Sequence, residues 1–134
     1  MIDRNEIVIS SHDAATLSAV LATLSPREAP LPGAIEDLVD MLAGATVVAP
    51  QSLGDVVALD SEVTYIELPH GRARTVQLVH PATADASSAR ISVFAPVARA
   101  LLGRRKGARV RVALPDATID ELHVVAVRAA GRRS

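Results

Sequence analysis

Ile91-Ser92-Val93-Phe94-Ala95-Pro96-Val97-Ala98-Arg99-Ala100-Leu101-Leu102-Gly103 is where the chain changes period within a few residues. Ile91 to Phe94 is a short apolar run suited to a strand. Pro96 stands where a helix would begin and Gly103 where it would end, which leaves room for two turns. On the C-terminal side, Arg109 to Leu114 alternates, with Val110, Val112 and Leu114 facing one way and Arg109 and Arg111 the other. That pattern predicts a strand in a sheet with one covered face. Glu121 to Val127 is a further candidate strand, as are Val56 to Leu59, Glu62 to Leu68 and Arg74 to Val79 upstream. Pro, Gly, Asp and Ser punctuate these runs. Residues 46–134 are therefore expected to form an α+β domain built on a sheet with one short helix, ending in a frayed tail at Gly131 to Ser134.

Before residue 46 the period is helical. After a short strand at Ile7 to Ile9, Ser10 or Ser11 can cap a helix whose Leu17, Val20, Leu21 and Leu24 share one face. The run Ser25 to Gly33, with three prolines, breaks it. A second helix carries Ile35, Leu38, Val39 and Leu42 and stops at Gly44. Residues 1–45 thus read as a short antiparallel helical hairpin, or short coiled coil. Neither helix is long enough to hold alone in water, so each must bury its stripe.

Composition removes several function classes. There is no cysteine, hence no disulfide, thiolate metal site or cysteine nucleophile. Tyr65 and Phe94 are the only aromatics, too few for an aromatic cage or a stacking platform. The N-terminus lacks the pattern of a signal peptide and no apolar run approaches a membrane span, so a cytoplasmic location without membrane attachment is expected.

Ser11-His12-Asp13 holds the residue types of a hydrolase triad, but consecutive residues at a helix start project in different directions. His12, His70, His80 and His123 have no metal-ligand spacing. Gly103 to Gly107 lacks the phosphate-loop pattern and follows a helix. No enzymatic activity, metal or cofactor is expected. Docking on a larger partner is the expected mode of action.

The charge is unevenly spread. Residues 1–60 carry nine acidic and two basic side chains, a net of −7; residues 61–134 carry six acidic and twelve basic, a net of +6. The hairpin's acidic face is Glu36, Asp37 and Asp40, and its tip offers Arg27 and Glu28. A basic segment, Arg90, Arg99, Arg104, Arg105, Lys106, Arg109 and Arg111, has no acidic residue among it. Such a distribution orients a protein on a charged partner. Without interleaved aromatics, and with a pI near 6.4, direct sequence-specific nucleic-acid binding is not expected.

The stretch from Ile91 to Gly103 closely resembles the signature of the C-terminal domain shared by the Gre transcript cleavage factors and the regulator of nucleoside diphosphate kinase family (Rnk-like). Val57-Ala58-Leu59-Asp60-Ser61-Glu62-Val63, His80-Pro81-Ala82 and Leu114-Pro115-Asp116 extend the similarity over roughly residues 56–128. The short hairpin points to the regulator family. The chain departs from the pattern at Ala108 and Ala117, both in turns.

The resemblance implies an FKBP-like antiparallel β domain that binds the rim of the secondary channel of bacterial RNA polymerase. The hairpin would then point into the channel and compete with other channel-binding factors. It also implies a docking surface at Pro81, Thr83, Asp85 and Ser87, with Pro96 and Arg99 of the adjoining helix. Transcript cleavage is not expected, because hairpin length and carboxylate placement differ from those of Gre factors. Prolyl isomerisation is not expected either, since Tyr65 and Phe94 cannot line the required pocket. Two alternatives stand beside this reading: a short cleavage factor using hairpin carboxylates and polymerase magnesium, and an interaction module acting on nucleoside diphosphate kinase.

Overall fold

A computed structural model describes residues 6–23, 33–68, 70–113 and 119–128. The expected hairpin tip, Arg27 and Glu28, lies outside them, as do Leu114-Pro115-Asp116, Ala117 and the tail from Gly131. Strand β1 (Val8–Ser10) leads into helix α1 (Ser11–Thr23). Ser10 Oγ accepts from the Asp13 N–H at 3.0 Å, which caps the helix as its sequence suggests. Helix α2 (Ala34–Gly44) follows a left-handed Gly33. Leu17, Val20, Ala34 and Leu38 are buried, while Val39 of the expected stripe is 46% exposed. Ala34 and Leu38, four residues apart, form the inner face of α2, and Val39 falls to its side.

Strands β3 (Glu62–Leu68), β4 (Arg72–Val79), β5 (Arg90–Ser92), β6 (Arg109–Ala113) and β7 (Ile119–Arg128) form a five-stranded sheet in the order β5-β4-β3-β7-β6. The β3–β4, β3–β7 and β6–β7 pairs are antiparallel, with a bulge between Thr64 and Tyr65 against β7. The expectation of a wholly antiparallel sheet is corrected at its edge, where β4 and β5 pair in parallel. The intervening chain, residues 80–89, carries the backbone round so that β5 runs parallel beside the last three residues of β4, Gln77 to Val79.

Two further corrections concern strands. Val56 to Leu59 is not a strand: Val56 makes an isolated bridge to Arg105, and Val57 exchanges hydrogen bonds with Gly103 and Arg104. Its backbone is satisfied by the turn after helix α3 (Pro96–Leu101) instead of by the sheet. A strand that the period did not announce, β2 (Thr46–Val48), pairs in parallel with β1. Val47 is 53% exposed, so the apolar side chains of this stretch do not mark a buried face.

Helix α3 begins at Pro96 as expected, and it covers β6 through buried Ala98 and Leu101 set against Val110 and Val112. Beyond it, Gly103 has φ +82° and lies under β1. A Cβ there would stand 2.4 Å from Ile7 Cγ2. Val8 N–H donates to Gly103 O at 3.0 Å, so the absence of a side chain is what lets β1 approach. One core results, joining Leu17, Val20, Ala34 and Leu38 of the helices to Val63, Tyr65, Leu78, Leu122 and Val124 of the sheet.

Candidate functional site

The loop between β4 and β5 is a pair of 3-10 turns, Pro81–Thr83 and Ala86–Ser88. His80 sets the first: its Nδ1 accepts from the Ala82 N–H at 3.0 Å, and its carbonyl accepts from the Thr83 hydroxyl at 3.1 Å. Asp85 sets the second. Its Oδ1 accepts from the Ser87 hydroxyl at 2.7 Å and from the Ser87 N–H at 3.1 Å. Its backbone pairs with Arg90 in both directions, at 2.8 and 3.0 Å. The Ser87 hydroxyl and N–H hold the Asp85 carboxyl below its ordinary value of 3.8, and the side chain is fully exposed. The result is an outward-facing carboxylate fixed by its own loop. Thr83 and Ser87 are exposed beside it.

Arg99 lies elsewhere in its bonding. Its Nε donates to Phe94 O at 3.2 Å, and its guanidinium forms an ion pair with Asp37 of α2. The Arg99 side chain is 18% exposed and that of Asp37 64%. Two residues assigned by sequence to separate surfaces, the docking helix and the acidic face of the hairpin, are thus partners. Glu36 and Asp40 remain on the exposed side of α2.

The basic segment does not form one patch. Arg109 reaches Glu121 across the β6–β7 pair at 3.7 Å. Arg90, Arg104 and Arg105 are half-buried, and burial lowers the Arg104 guanidinium below its ordinary value. Lys106 and Arg111 are exposed. Arg111 edges a groove of about 280 Å³ between α2 and α3 that Asp37, Met41, Pro96 and Arg99 also line. Met41 and Ile7 in that groove had no signal in the sequence beyond their apolarity.

A second cavity of about 370 Å³ separates α1 from residues 50–61 and holds Ser10, His12, Asp13 and Ser61. Asp13 Oδ2 accepts from the Leu59 N–H at 3.0 Å and so ties α1 to the domain. Burial raises its carboxyl above the ordinary 3.8. Sequence assigned this residue only to a helix start. Among the described residues no group of three or more His, Asp or Glu is placed to hold a metal ion. No helix there is long and apolar enough to cross a membrane.

Comparison with known proteins bears on this arrangement. The solved structure of a prokaryotic transcription elongation factor GreA/GreB from Nitrosomonas europaea superposes with a TM-score of 0.74 at 34% identity, covering 92% of this chain and 98% of that one. The transcription elongation factor GreA of Azorhizobium caulinodans is 39% identical over 84 residues, 62% of this chain and 54% of that protein. The GreA of Geobacillus kaustophilus is 40% identical over 82 residues, 60% of this chain and 52% of its own. The match therefore spans about half the length of these curated relatives. The family model for the C-terminal part of transcription elongation factors GreA/GreB matches residues 50–129, from the turn before Val56 to the end of β7. On that match, which takes in more than half of the sequence, the chain belongs to the GreA/GreB C-terminal domain family.

Proposed function

We propose that this protein binds bacterial RNA polymerase and regulates transcription by docking at the rim of the secondary channel, where it competes with other channel-binding factors without stimulating transcript cleavage. The observation that carries the reading is the Asp85 loop. It lies within the matched family segment and presents one exposed carboxylate whose geometry is fixed before any partner arrives. A preorganised loop loses little entropy on docking. The domain is read as FKBP-like and the chain as an Rnk-like regulator of cytoplasmic transcription, with no activity as an enzyme in its own right.

The position of α2 supports the absence of cleavage. Asp37 is engaged with Arg99, and α2 is 11 residues, about 16 Å long, so its carboxylates stay close to the domain. A cleavage-type elongation factor is a second reading, favoured by the names of the GreA relatives.

The test is binding to core RNA polymerase at low salt, with Asp85→Arg beside the parent, followed by addition to stalled elongation complexes. Binding that Asp85→Arg abolishes, with RNA length unchanged, is the expected result. Shortened RNA would replace it with the second reading, and no binding by the parent would overturn both. Arg99→Glu is a poorer probe, because it also breaks the contact with α2.

A further inference from the structure

We infer that the groove between α2 and α3 is a second contact surface for the partner, taking an apolar segment that carries a carboxylate, with Arg111 as the group that pairs with it. The inference rests on the docking reading above. It adds Arg111 of β6 and residues of the N-terminal segment, the latter lying before the matched family segment.

The groove's floor is apolar. Leu38 and Val112 are buried beneath it, and Ile7, Met41, Pro96 and Ala100 are partly exposed along it. Its volume of about 280 Å³ suits one or two branched side chains. Met41, unbranched and polarisable, can adapt to their shape.

The charge at the edge is unbalanced. Two guanidiniums, Arg99 and Arg111, meet one carboxylate, Asp37. Arg99 is held by Asp37 and by Phe94 O, which leaves its charge neutralised and its position fixed. The Arg111 side chain has no hydrogen bond or ion pair among the described residues, although Glu121 stands opposite it in the β6–β7 register. Glu121 is engaged by Arg109 instead. An exposed guanidinium without a charge partner among the described residues, beside a floor of apolar side chains, selects a planar carboxylate next to an apolar side chain. The cavity beside α1 offers no such selection, since its Asp13 carboxylate is already bonded to Leu59.

The experiment is equilibrium binding of the full chain to core RNA polymerase, comparing the parent with Arg111→Glu, Arg111→Gln, Arg111→Lys and Asp85→Arg. Thermal melting of each variant establishes that it is folded. Arg111→Glu and Arg111→Gln are expected to weaken binding roughly tenfold or more, and Arg111→Lys by less. The difference should shrink as salt is raised. Binding lost in Asp85→Arg but unchanged in both Arg111→Glu and Arg111→Gln would overturn the groove and leave the docking reading standing. No binding by the parent would overturn both together.

Discussion

In the sheet, β3 is bonded to β4 on one edge and to β7 on the other along nearly its whole length. The N-terminal segment is attached to the same core quite differently. Apart from the short parallel β1–β2 pairing, its polar attachment among the described residues rests on single points: Val8 to Gly103, Asp13 to Leu59 and Asp37 to Arg99. Between them lie the apolar side chains Leu17, Val20, Ala34 and Leu38. A ladder distributes its free energy over many equivalent bonds, so no one residue decides its register. A few point contacts place the helices only if each is intact. The half of the molecule that carries the acidic charge is therefore positioned by a handful of residues, and those are where the comparison can be broken.

The largest effect is expected from the shared core. Leu38 of α2 and Leu78 of β4 are both fully buried. Changing either to Ala should cost about 2–5 kcal/mol. Because both belong to one cluster, urea melts of Leu38→Ala followed by far-ultraviolet dichroism and by the fluorescence of buried Tyr65 in β3 should coincide. A helical transition that precedes the Tyr65 transition would show that helices and sheet unfold separately.

Gly103→Ala tests the first point contact. It adds a left-handed strain and drives a methyl group into Ile7, for a loss of about 2–3 kcal/mol in denaturant. Early proteolysis before residue 11 should accompany the loss, as β1 is displaced. A stability equal to that of the parent would mean that β1 is not held by this approach.

On the sheet side, Ala89 has φ +59° in the loop that carries Asp85. Ala89→Gly relieves that strain and should stabilise the protein by about 1 kcal/mol in chemical denaturation. A destabilisation instead would mean that the entropy glycine adds to the unfolded chain outweighs the strain.

The smallest effect is one of pH, and it has opposite signs in the two regions. The Asp13 carboxyl is raised by burial, so the folded protein holds its proton more tightly than the unfolded chain does. Stability from this group is gained as pH falls through the raised value toward the ordinary 3.8. In Asp85 the Ser87 bonds lower the carboxyl, so its contribution is present above 3.8 and is lost as pH falls below it. Asp13→Asn should remove the gain on acidification and Asp85→Asn the loss, read as melting temperature against pH. Identical profiles for both variants would contradict the assignment.

How much of this was legible in the sequence follows the same division. Strand β3 was read with its observed ends, and the stop of α2 and the start of α3 at Pro96 were read from Gly and Pro. Each depends on local spacing and backbone chemistry alone. The Val56 to Leu59 run read as a strand because it is a short apolar run bounded by turn residues, but its partner is the turn at Gly103 and not a neighbouring strand. Of the expected site, Asp85 and Ser87 come together because they are two residues apart. Asp37 and Arg99 are far apart in the chain, and no period or motif relates them.

The sequence by itself determined the ends of β3, the stop of α2, the start of α3 and the covered face of β6, because neighbours along the chain are sufficient to fix them. Only the tertiary structure decided that β1 lies on Gly103, that Asp13 bonds to Leu59, that Arg99 is taken by Asp37 and that the Arg111 side chain, beside the groove, has no partner among the described residues. These contacts join parts distant in sequence, and their geometry follows from how the helices pack on the sheet.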